Sequence, residues 1–269
     1  MTALDLHVDR SGRHDAPPVV LLHGFTGSTR SWDAVREHLS LTCRVLAIDL
    51  PGHGQSPSPA DIEPYRLRNV ADSIALALDR AGISRAAVMG YSMGGRTALR
   101  FALTHPERCR GLVLESTSPG LASDAERAQR RAEDEARAQL LEREGIDAFV
   151  RGWEQLPLWQ SQSRLDPAVI ARQRELRLAN SALGLARSLR GAGVAEATSV
   201  LEVLGSLAMP VLLLAGALDP AYVAHAKAMA ARLPRATVHI QPDAGHALHL
   251  ERPLAIASLV KQFVATLSL

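Results

Sequence analysis

The chain has 269 residues, of which 47% are hydrophobic and 22% charged, so it is long enough for one large α/β domain carrying an insertion. Its formal net charge of +2 is too small to predict nucleic-acid binding. The first ten residues lack the apolar core of a signal peptide and no apolar run has the length of a membrane span, so we expect neither a leader nor a membrane partner.

The first part of the chain alternates predicted strands with predicted helices. Residues 4–8 alternate in polarity and predict an edge strand, whereas the continuous apolar run 19–22 predicts a strand buried on both faces. The pattern then predicts a helix over 31–39, a strand over 44–48, a helix over 67–81, a strand over 86–89, a helix over 97–103 and a strand over 111–115.

The middle of the chain shows no strand pattern until Pro210, which predicts an all-helical insertion over 120–205. Residues 124–144 and 166–179 are its clearest helices. The first of these is expected to bury a narrow apolar stripe formed by Ala125, Ala128, Ala132, Ala136 and Leu140. The two flanking segments, 1–119 and 206–269, would form the core domain.

The strand–helix alternation returns after the insertion, with strands over 211–215 and 237–241 and helices over 221–232 and 253–267. Strands that alternate with helices predict an α/β fold with a doubly wound, mostly parallel sheet. Ligands of such sheets bind at the carboxyl ends of the strands.

Three side chains of matching chemistry fall at predicted strand ends: Ser92, Asp219 and His246. Ser92 is the centre of Gly90-Tyr91-Ser92-Met93-Gly94, between a strand and a helix, a context that favours a nucleophile elbow. A serine hydroxyl becomes reactive when a histidine takes its proton, and a carboxylate fixes that histidine's tautomer. The order Ser, Asp, His is that of α/β-hydrolases, and we predict a catalytic triad.

Each member of this predicted triad also has a plainer explanation. Ser92 could lie in an ordinary Gly-rich connection, Asp219 could be a turn residue before Pro220, and His246 is one of ten histidines. Their order and their placement at strand ends together favour the triad. Glu115, at another strand end, is the second-choice acid, and His249 is the second-choice base.

Two further features surround Ser92. The backbone N–H groups of Met93, directly after the serine, and of Phe25, in a Gly-rich loop after a buried strand, are the predicted oxyanion hole. Arg96 lies four residues after Ser92, in the first helical turn, where the helix dipole disfavours a cation. A locally unfavourable cation beside a nucleophile points to function, although an arginine that swings into solvent is the alternative.

Four motifs make the chain similar to the α/β-hydrolase superfamily: His23-Gly24-Phe25-Thr26-Gly27, Asp49-Leu50-Pro51-Gly52-His53-Gly54, Gly90-Tyr91-Ser92-Met93-Gly94-Gly95-Arg96 and Ala244-Gly245-His246. More narrowly, the chain resembles the family of 2-succinyl-6-hydroxy-2,4-cyclohexadiene-1-carboxylate synthases (MenH) of menaquinone biosynthesis. That resemblance covers nearly the whole chain. It rests on Arg96, on Ser118-Pro119-Gly120-Leu121 before an arginine-rich helix, on Phe149-x-x-x-Trp153, and on Leu176-Arg177-x-x-Asn180.

The resemblance implies a lyase on an α/β-hydrolase fold with a helical cap. Such an enzyme eliminates pyruvate from 5-enolpyruvoyl-6-hydroxy-2-succinyl-cyclohex-3-ene-1-carboxylate, a small molecule with three carboxylates. By resemblance, Ser92, relayed by His246, would remove a ring proton next to the succinyl ketone. The substrate-binding residues implied by the motifs are Arg96, Arg130, Arg177, Trp153 and Tyr91.

The resemblance leaves two local questions open. Arg127 and Arg131 are close in register to Arg130, so the sequence does not fix which of the three faces the pocket. Glu154 directly follows Trp153, where it would repel an anionic substrate if it faced the pocket, and we expect it to point away.

Two other functions stay open. A serine carboxylester or carbon–carbon bond hydrolase acting on an anionic substrate would use the same triad, and a non-catalytic ligand-binding protein could share the fold. Because the histidines show no ligand spacing and no phosphate loop or dinucleotide fingerprint occurs, we expect no metal and no cofactor. Cys43 and Cys109 are expected to be reduced and buried, as in a cytoplasmic protein, and the oligomeric state is left open.

Overall fold

A seven-stranded sheet organises the chain, as seen in a computed structural model that describes residues 3–267. The strand order is β1-β3-β2-β4-β5-β6-β7; β1 pairs antiparallel with β3 and all other pairs are parallel. The predicted α/β fold is therefore confirmed. The strands are β1 (Val8–Ser11), β2 (Pro18–Leu22), β3 (Arg44–Ile48), β4 (Ala86–Tyr91), β5 (Cys109–Glu115), β6 (Val211–Gly216) and β7 (Ala236–Gln241).

Helices cover both faces of this sheet. The α-helices are α1 (Asp33–Leu39), α2 (Leu67–Arg80), α3 (Met93–Thr104), α4 (Asp124–Trp153), α5 (Pro167–Leu178), α6 (Ala182–Ala192), α7 (Pro220–Ala230), α8 (Leu248–Glu251) and α9 (Pro253–Thr266). Short 3-10 helices occupy Thr29–Trp32, Glu63–Tyr65, Pro106–Arg108, Pro157–Arg164, Val194–Glu196 and Leu201–Ser206. Within residues 3–267, no helix has the length and apolar character needed to cross a membrane.

Two apolar cores lie on opposite faces of the sheet, which explains the continuous apolar run of β2. Val20 and Leu22 pack into the core shared with α2, α3 and α7, whereas Val19 and Leu21 pack into the core shared with α1 and α9. Since successive side chains of a strand point to opposite faces, both faces of β2 must be apolar. The central strands are thereby fixed, and their carboxyl ends form a rigid edge.

The helices α4, α5 and α6 lie between β5 and β6 in the chain and form a cap over this edge. α4 is kinked at Gly145, where φ is +80°. The cap has its own apolar cluster, to which Phe25 of the core domain adds its ring; the cluster comprises Ala138, Leu141, Phe149, Val150, Leu185, Ala186 and Leu189. The domain limits at 119/120 and 205/206 stay predictions, and the outer limits, residues 1 and 269, lie outside the described residues.

The apolar stripe predicted for α4 was wrong. Its four alanines, Ala125, Ala128, Ala132 and Ala136, are exposed to solvent. The face turned towards the core instead carries Arg130, Asp134, Arg137, Ala138 and Leu141. The first half of α4 therefore turns charged side chains towards a cavity, and apolar packing begins only at Ala138.

The strand predicted over 4–8 was also wrong, because β1 begins at Val8. The backbone N–H of Leu4 donates to Ser73 Oγ at 2.9 Å and that of His7 to Ser56 Oγ at 2.9 Å. These serine hydroxyls and the N–H of Asp49, which donates to the carbonyl oxygen of His7 at 3.1 Å, hold this segment on the core domain. The alternation arose because Leu6 is buried in the core.

Candidate active site

The turn from β4 to α3 holds Ser92 in a strained conformation, with φ 51° and ψ −107°. A non-glycine residue at such angles costs of the order of 1–3 kcal/mol and persists only where neighbours hold it. The N–H of Ser92 donates to the carbonyl oxygen of Glu115 at 2.9 Å. Gly94 follows on the inner side of the turn, where a Cβ would overlap the carbonyl oxygen of Leu22. These contacts build the predicted elbow and present the serine hydroxyl at the edge of the sheet.

Two loops at the neighbouring strand ends bring Asp219 and His246 to Ser92. His246 Nε2 lies 3.2 Å from Ser92 Oγ, and His246 Nδ1 lies 2.8 Å from Asp219 Oδ2. Asp219 follows β6, and His246 follows β7. With Nδ1–H donated to the buried carboxylate, Nε2 is left as the acceptor for the serine proton. The geometry is that of a serine–histidine–aspartate relay.

The second-choice acid and base do not join this relay but pair with each other. Glu115 Oε1 accepts the backbone N–H of His249 at 3.0 Å and lies 2.6 Å from its Nδ1. Both side chains are buried, and the His249 ring packs between Trp32 and Tyr91. This pair therefore supports the wall of the site from behind Tyr91.

The loop that carries Phe25 is held in place by His23. His23 Nδ1 donates to the carbonyl oxygen of Gly24 at 2.8 Å, and Nε2 accepts the N–H of Leu50 at 3.0 Å, which requires a neutral ring. Complete burial lowers the pKa of His23 and so favours that neutral form. Among the described residues, the N–H of Phe25 finds no hydrogen-bond partner, as an oxyanion-hole donor requires.

A cavity opens between the serine and the cap, with about 790 Å³ of space free of atoms, a volume that includes open solvent at its mouth. Its apolar walls include Phe25, Trp153 and Trp159, and Ser92 and His246 lie at its base. Three arginines line it, Arg96, Arg130 and Arg137, and among the residues that the structure describes no carboxylate does. The cavity therefore suits an anionic ligand with an apolar ring.

Arg96 does not swing into solvent. Its side chain is buried, its Nη2 donates to the carbonyl oxygen of Ala192 at 3.4 Å, and its Nε is buried without a partner in residues 3–267. Burial lowers the pKa of this guanidinium, and the neighbouring Tyr222 partly offsets that effect. A buried guanidinium with unused donors facing a cavity is able to bind a carboxylate.

Of Arg127, Arg130 and Arg131, the structure places one at the cavity. Arg130 lines it, with Nε donating to Asp134 Oδ1 at 2.8 Å. Arg127 instead donates to the carbonyl oxygen of Leu121 near the start of α4, and Arg131 pairs with Glu196. Arg130 therefore keeps its Nη atoms available for a ligand.

Arg137 was missed by the sequence reasoning, although it lies seven residues after Arg130 and so on the same helix face. Its Nη1 lies 3.2 Å from the same Asp134 Oδ1, so one buried carboxylate holds two cavity arginines.

Tyr222 was missed by the sequence reasoning as well. It lies in the first turn of α7, three residues after Asp219, and its ring centroid is 4.4 Å from that of His246. Burial raises the pKa of Tyr222, so its hydroxyl stays a proton donor.

Arg177 lies outside this cavity, beside a smaller one that also reaches Tyr91. Its guanidinium sits 5.2 Å from the ring centroid of Trp159 and donates to Glu154 Oε1 at 3.0 Å. Glu154 lines neither cavity, and it also pairs with Arg174. Tyr91 lines both cavities, and its buried hydroxyl is unpartnered among the described residues.

Within residues 3–267, no cluster of three histidine, cysteine or acidic side chains is placed to hold a metal ion. The groups assembled around Ser92 are a histidine base, the residues Phe25 and Met93 whose amides are the predicted oxyanion hole, and several cations. Such an arrangement can remove a proton from a carbon acid or attack an acyl carbon, and the cations would orient an anionic substrate.

Comparisons with known proteins show the family to which this chain is similar. The profile of the family described as "alpha/beta hydrolase fold" matches residues 17–253. A protein from Bacillus subtilis (strain 168), provisionally named 2-succinyl-6-hydroxy-2,4-cyclohexadiene-1-carboxylate synthase, is 38% identical over 95% of this chain and 93% of its own. The synthase of the same name from Salmonella paratyphi C is 34% identical over 94% and 96%.

Solved structures of similar proteins include enzymes of two kinds. MenH from S. aureus superposes with a TM-score of 0.92 at 32% identity, over 97% of this chain and 98% of that one. A thermophilic esterase from Thermogutta terrifontis, solved with malate bound, superposes with a TM-score of 0.86 at 28% identity, over 97% and 93%.

Proposed function

We infer the function of this chain from its family: it belongs to the α/β-hydrolase fold family and, within it, to the family of 2-succinyl-6-hydroxy-2,4-cyclohexadiene-1-carboxylate synthases. It is a carbon–oxygen lyase of menaquinone biosynthesis. Its reaction eliminates pyruvate from 5-enolpyruvoyl-6-hydroxy-2-succinyl-cyclohex-3-ene-1-carboxylate. The observation that carries the proposal for the site is the joint presence of a serine–histidine relay and three arginines around one cavity.

The relay would serve as the base of this elimination. Ser92 Oγ takes the ring proton next to the succinyl ketone and passes its own proton to His246 Nε2, which Asp219 stabilises as a cation. The electron pair of the broken C–H bond moves onto the oxygen of the succinyl ketone as an enolate. When the ketone re-forms, the pair passes through the ring double bond and breaks the carbon–oxygen bond to the enolpyruvyl group. Pyruvate leaves as its enolate, the proton gained by His246 balances that charge and returns His246 to its neutral form, and the ring gains a double bond. No bond from Ser92 to carbon is needed.

The enolate oxygen would be stabilised by the N–H groups of Met93 and Phe25. Donors of this kind contribute about 3–4 kcal/mol each when they are aimed at a developing negative charge. The neutral His23 fixes the loop of Phe25, and the strained elbow fixes Met93, so neither amide has to reorganise during the reaction.

The arginines would hold the carboxylates of the substrate. Arg96 and Arg130 line the cavity that contains Ser92, and Arg177 lines the smaller cavity, which Tyr91 also lines. Three cations in separate places suit a substrate with carboxylates on the ring, on the succinyl arm and on the enolpyruvyl ether. Trp153 would cover the ring, because it lines the cavity and packs edge to face on Phe25.

The second candidate is hydrolysis of an anionic ester with the same triad, which the similarity to the malate-bound esterase favours. An esterase for neutral substrates would gain nothing from buried arginines, and a non-catalytic binding protein would gain nothing from the relay.

We also propose a cytoplasmic location, because Cys43 and Cys109 are buried, unpaired thiols of the kind kept in reducing compartments.

The test is pyruvate release from the enolpyruvyl substrate, generated in situ and corrected for spontaneous elimination. The lyase predicts release far above background, together with weak hydrolysis of a neutral p-nitrophenyl ester. Release no faster than background, with fast hydrolysis of an anionic ester, would replace the lyase by the hydrolase.

A further inference from the structure

A buried carboxylate outside the triad, that of Glu251, binds the loop 245–247 on both sides of His246. Glu251, in α8, accepts the N–H of Gly245 on Oε2 at 2.9 Å and the N–H of Ala247 on Oε1 at 3.4 Å. These two amides flank His246 in the chain. Glu251 is only 5% exposed, and no arginine, lysine or histidine in residues 3–267 pairs with it. Its charge is therefore balanced by hydrogen bonds to this one loop and to the cap.

The third donor to Glu251 comes from the cap. Ser161, in the 3-10 helix Pro157–Arg164, donates its hydroxyl to Glu251 Oε1 at 3.0 Å. The cap segment lies directly on the histidine loop, since a Cβ on Gly245 would overlap Ser161 Oγ. A second hydrogen bond holds the cap segment on this loop: Arg164 Nη2 donates to the carbonyl oxygen of Asp243 at 3.2 Å.

The same cap segment, 157–164, also lines the cavity that contains Ser92. Trp159 lines the cavity, its ring lies 5.9 Å from that of His246, and Arg177 stacks on it at 5.2 Å. The segment 157–164 thus contacts the cavity, Arg177 and the loop of His246. Glu251 accepts hydrogen bonds from both this segment and this loop.

We propose that Glu251 is a positioning residue that aligns His246 with Ser92 and makes this alignment depend on the cap segment 157–164 being seated through Ser161. Glu251 touches neither substrate nor the reacting atoms, so it acts only through the backbone of residues 245–247. The inference concerns the relay of the proposed function but does not depend on which substrate the relay serves.

The geometry distinguishes this role from simple packing. Glu251→Gln keeps the volume but replaces one acceptor oxygen by an NH₂ group, which would face an N–H or O–H donor and push the loop away. A misplacement of about 1 Å in a catalytic group costs about 100-fold in rate. The loss should therefore fall on kcat, with KM within about twofold of the wild type.

The experiment follows phosphonylation of Ser92 by a fluorophosphonate, which needs the histidine but neither the arginines nor the natural substrate. Glu251→Gln, Ser161→Ala and the double variant are compared with Glu202→Gln, an exposed carboxylate, and Ser163→Ala, an exposed cap serine. Pyruvate release is measured beside it, so that failure of the proposed lyase reaction would leave this test intact.

We expect Glu251→Gln to slow phosphonylation about 10- to 100-fold and Ser161→Ala about 3- to 10-fold, the worth of one hydrogen bond. Because Ser161 acts through Glu251, the double variant should be no slower than Glu251→Gln alone within about twofold. A folded Glu251→Gln with a wild-type rate, or losses that multiply in the double variant, would overturn the proposal. If Glu251→Gln does not fold, Ser161→Ala decides: an unchanged rate overturns the proposal and a slowed one supports it.

Discussion

The carboxylate of Glu154 accepts a hydrogen bond from Arg177 Nη1 at 3.0 Å, so the arginine predicted to bind a substrate carboxylate already has a counter-ion. Both side chains are largely buried, with exposed fractions of 18% and 10%. A substrate carboxylate therefore has to share Arg177 with Glu154 or displace it. From the sequence, Glu154 would repel an anionic substrate if it faced the pocket. In the structure it lines neither cavity, but it competes with the substrate for Arg177.

Replacing Glu154 by glutamine should therefore tighten substrate binding. Removal of a competing, partly screened charge is worth up to about 1 kcal/mol, so KM should fall about fivefold while kcat changes little. Glu175→Gln, which removes an exposed carboxylate from α5, the helix that carries Arg177, is the control. A rise in KM for Glu154→Gln would mean that Glu154 positions Arg177 and does not compete for it.

Arg96→Ala should discriminate between anionic and neutral substrates. Loss of a buried, charge-assisted carboxylate contact should lower kcat/KM for the enolpyruvyl substrate at least about 100-fold, because such hydrogen bonds are worth about 1.5–3 kcal/mol each. Hydrolysis of p-nitrophenyl acetate should change only a few-fold. Arg100→Ala, one turn further along α3, is the matched control. Equal losses on both substrates would assign Arg96 a structural role.

Asn180 fastens the cap to two loops of the core domain. Its Nδ2 donates to the carbonyl oxygen of Thr26 at 2.9 Å, and its Oδ1 accepts the N–H of Gly54 at 2.9 Å. Asn180→Ala leaves these buried groups unpaired and should lower the free energy of unfolding by about 2–4 kcal/mol. Urea unfolding measures this, with Asn69→Ala as the control, since Asn69 makes an exposed contact with Glu63. A change below about 0.5 kcal/mol would contradict the fastening role.

His53 should make the fold sensitive to acid. Burial lowers the pKa of His53 from 6.5 to about 3, with a smaller contribution from the neighbouring His23. Between these values the unfolded chain binds a proton that the folded chain does not, so the free energy of unfolding falls as the pH drops from 6.5 towards 3. Burial lowers the pKa of His23 as well, which acts in the same direction.

His53→Gln should remove that contribution. The loss of stability between pH 7.5 and pH 5 should shrink by about 2 kcal/mol relative to the wild type. Denaturant unfolding at the two pH values measures it, and His14→Gln, at an exposed site, should leave the dependence unchanged. An identical pH dependence in wild type and His53→Gln would show that His53 titrates normally in the folded chain.

Much of the fold could be predicted because its signals are local. The apolar run of β2 and the Gly-rich turn around Ser92 depend on neighbours in the chain, and β3 has the bounds that its pattern predicts. Ser92, Asp219 and His246 could be found because the carboxyl ends of parallel strands meet at one edge. Their catalytic roles stay predictions until variants are measured.

The burial of the cap helices could not be predicted as well, because charged residues of α4 face the interior where the helical pattern predicts apolar ones. In α4 the exposed alanines carry the helical period, while Arg130 and Arg137 line a cavity and the buried Asp134 pairs with both arginines. The pairing of Glu154 with Arg177 joins residues 23 positions apart, and that of Ser161 with Glu251 joins residues 90 apart. Neither leaves a signal in local spacing.

The most direct measurement of the central claim is pyruvate release by Ser92→Ala, with substrate binding followed by calorimetry in the same samples. If Ser92 is the base, the variant should lose at least about 1,000-fold in kcat and still bind the substrate with nearly wild-type affinity. Pyruvate release by Ser92→Ala at a rate close to that of the wild type would contradict the account, because the elimination would then proceed without the relay.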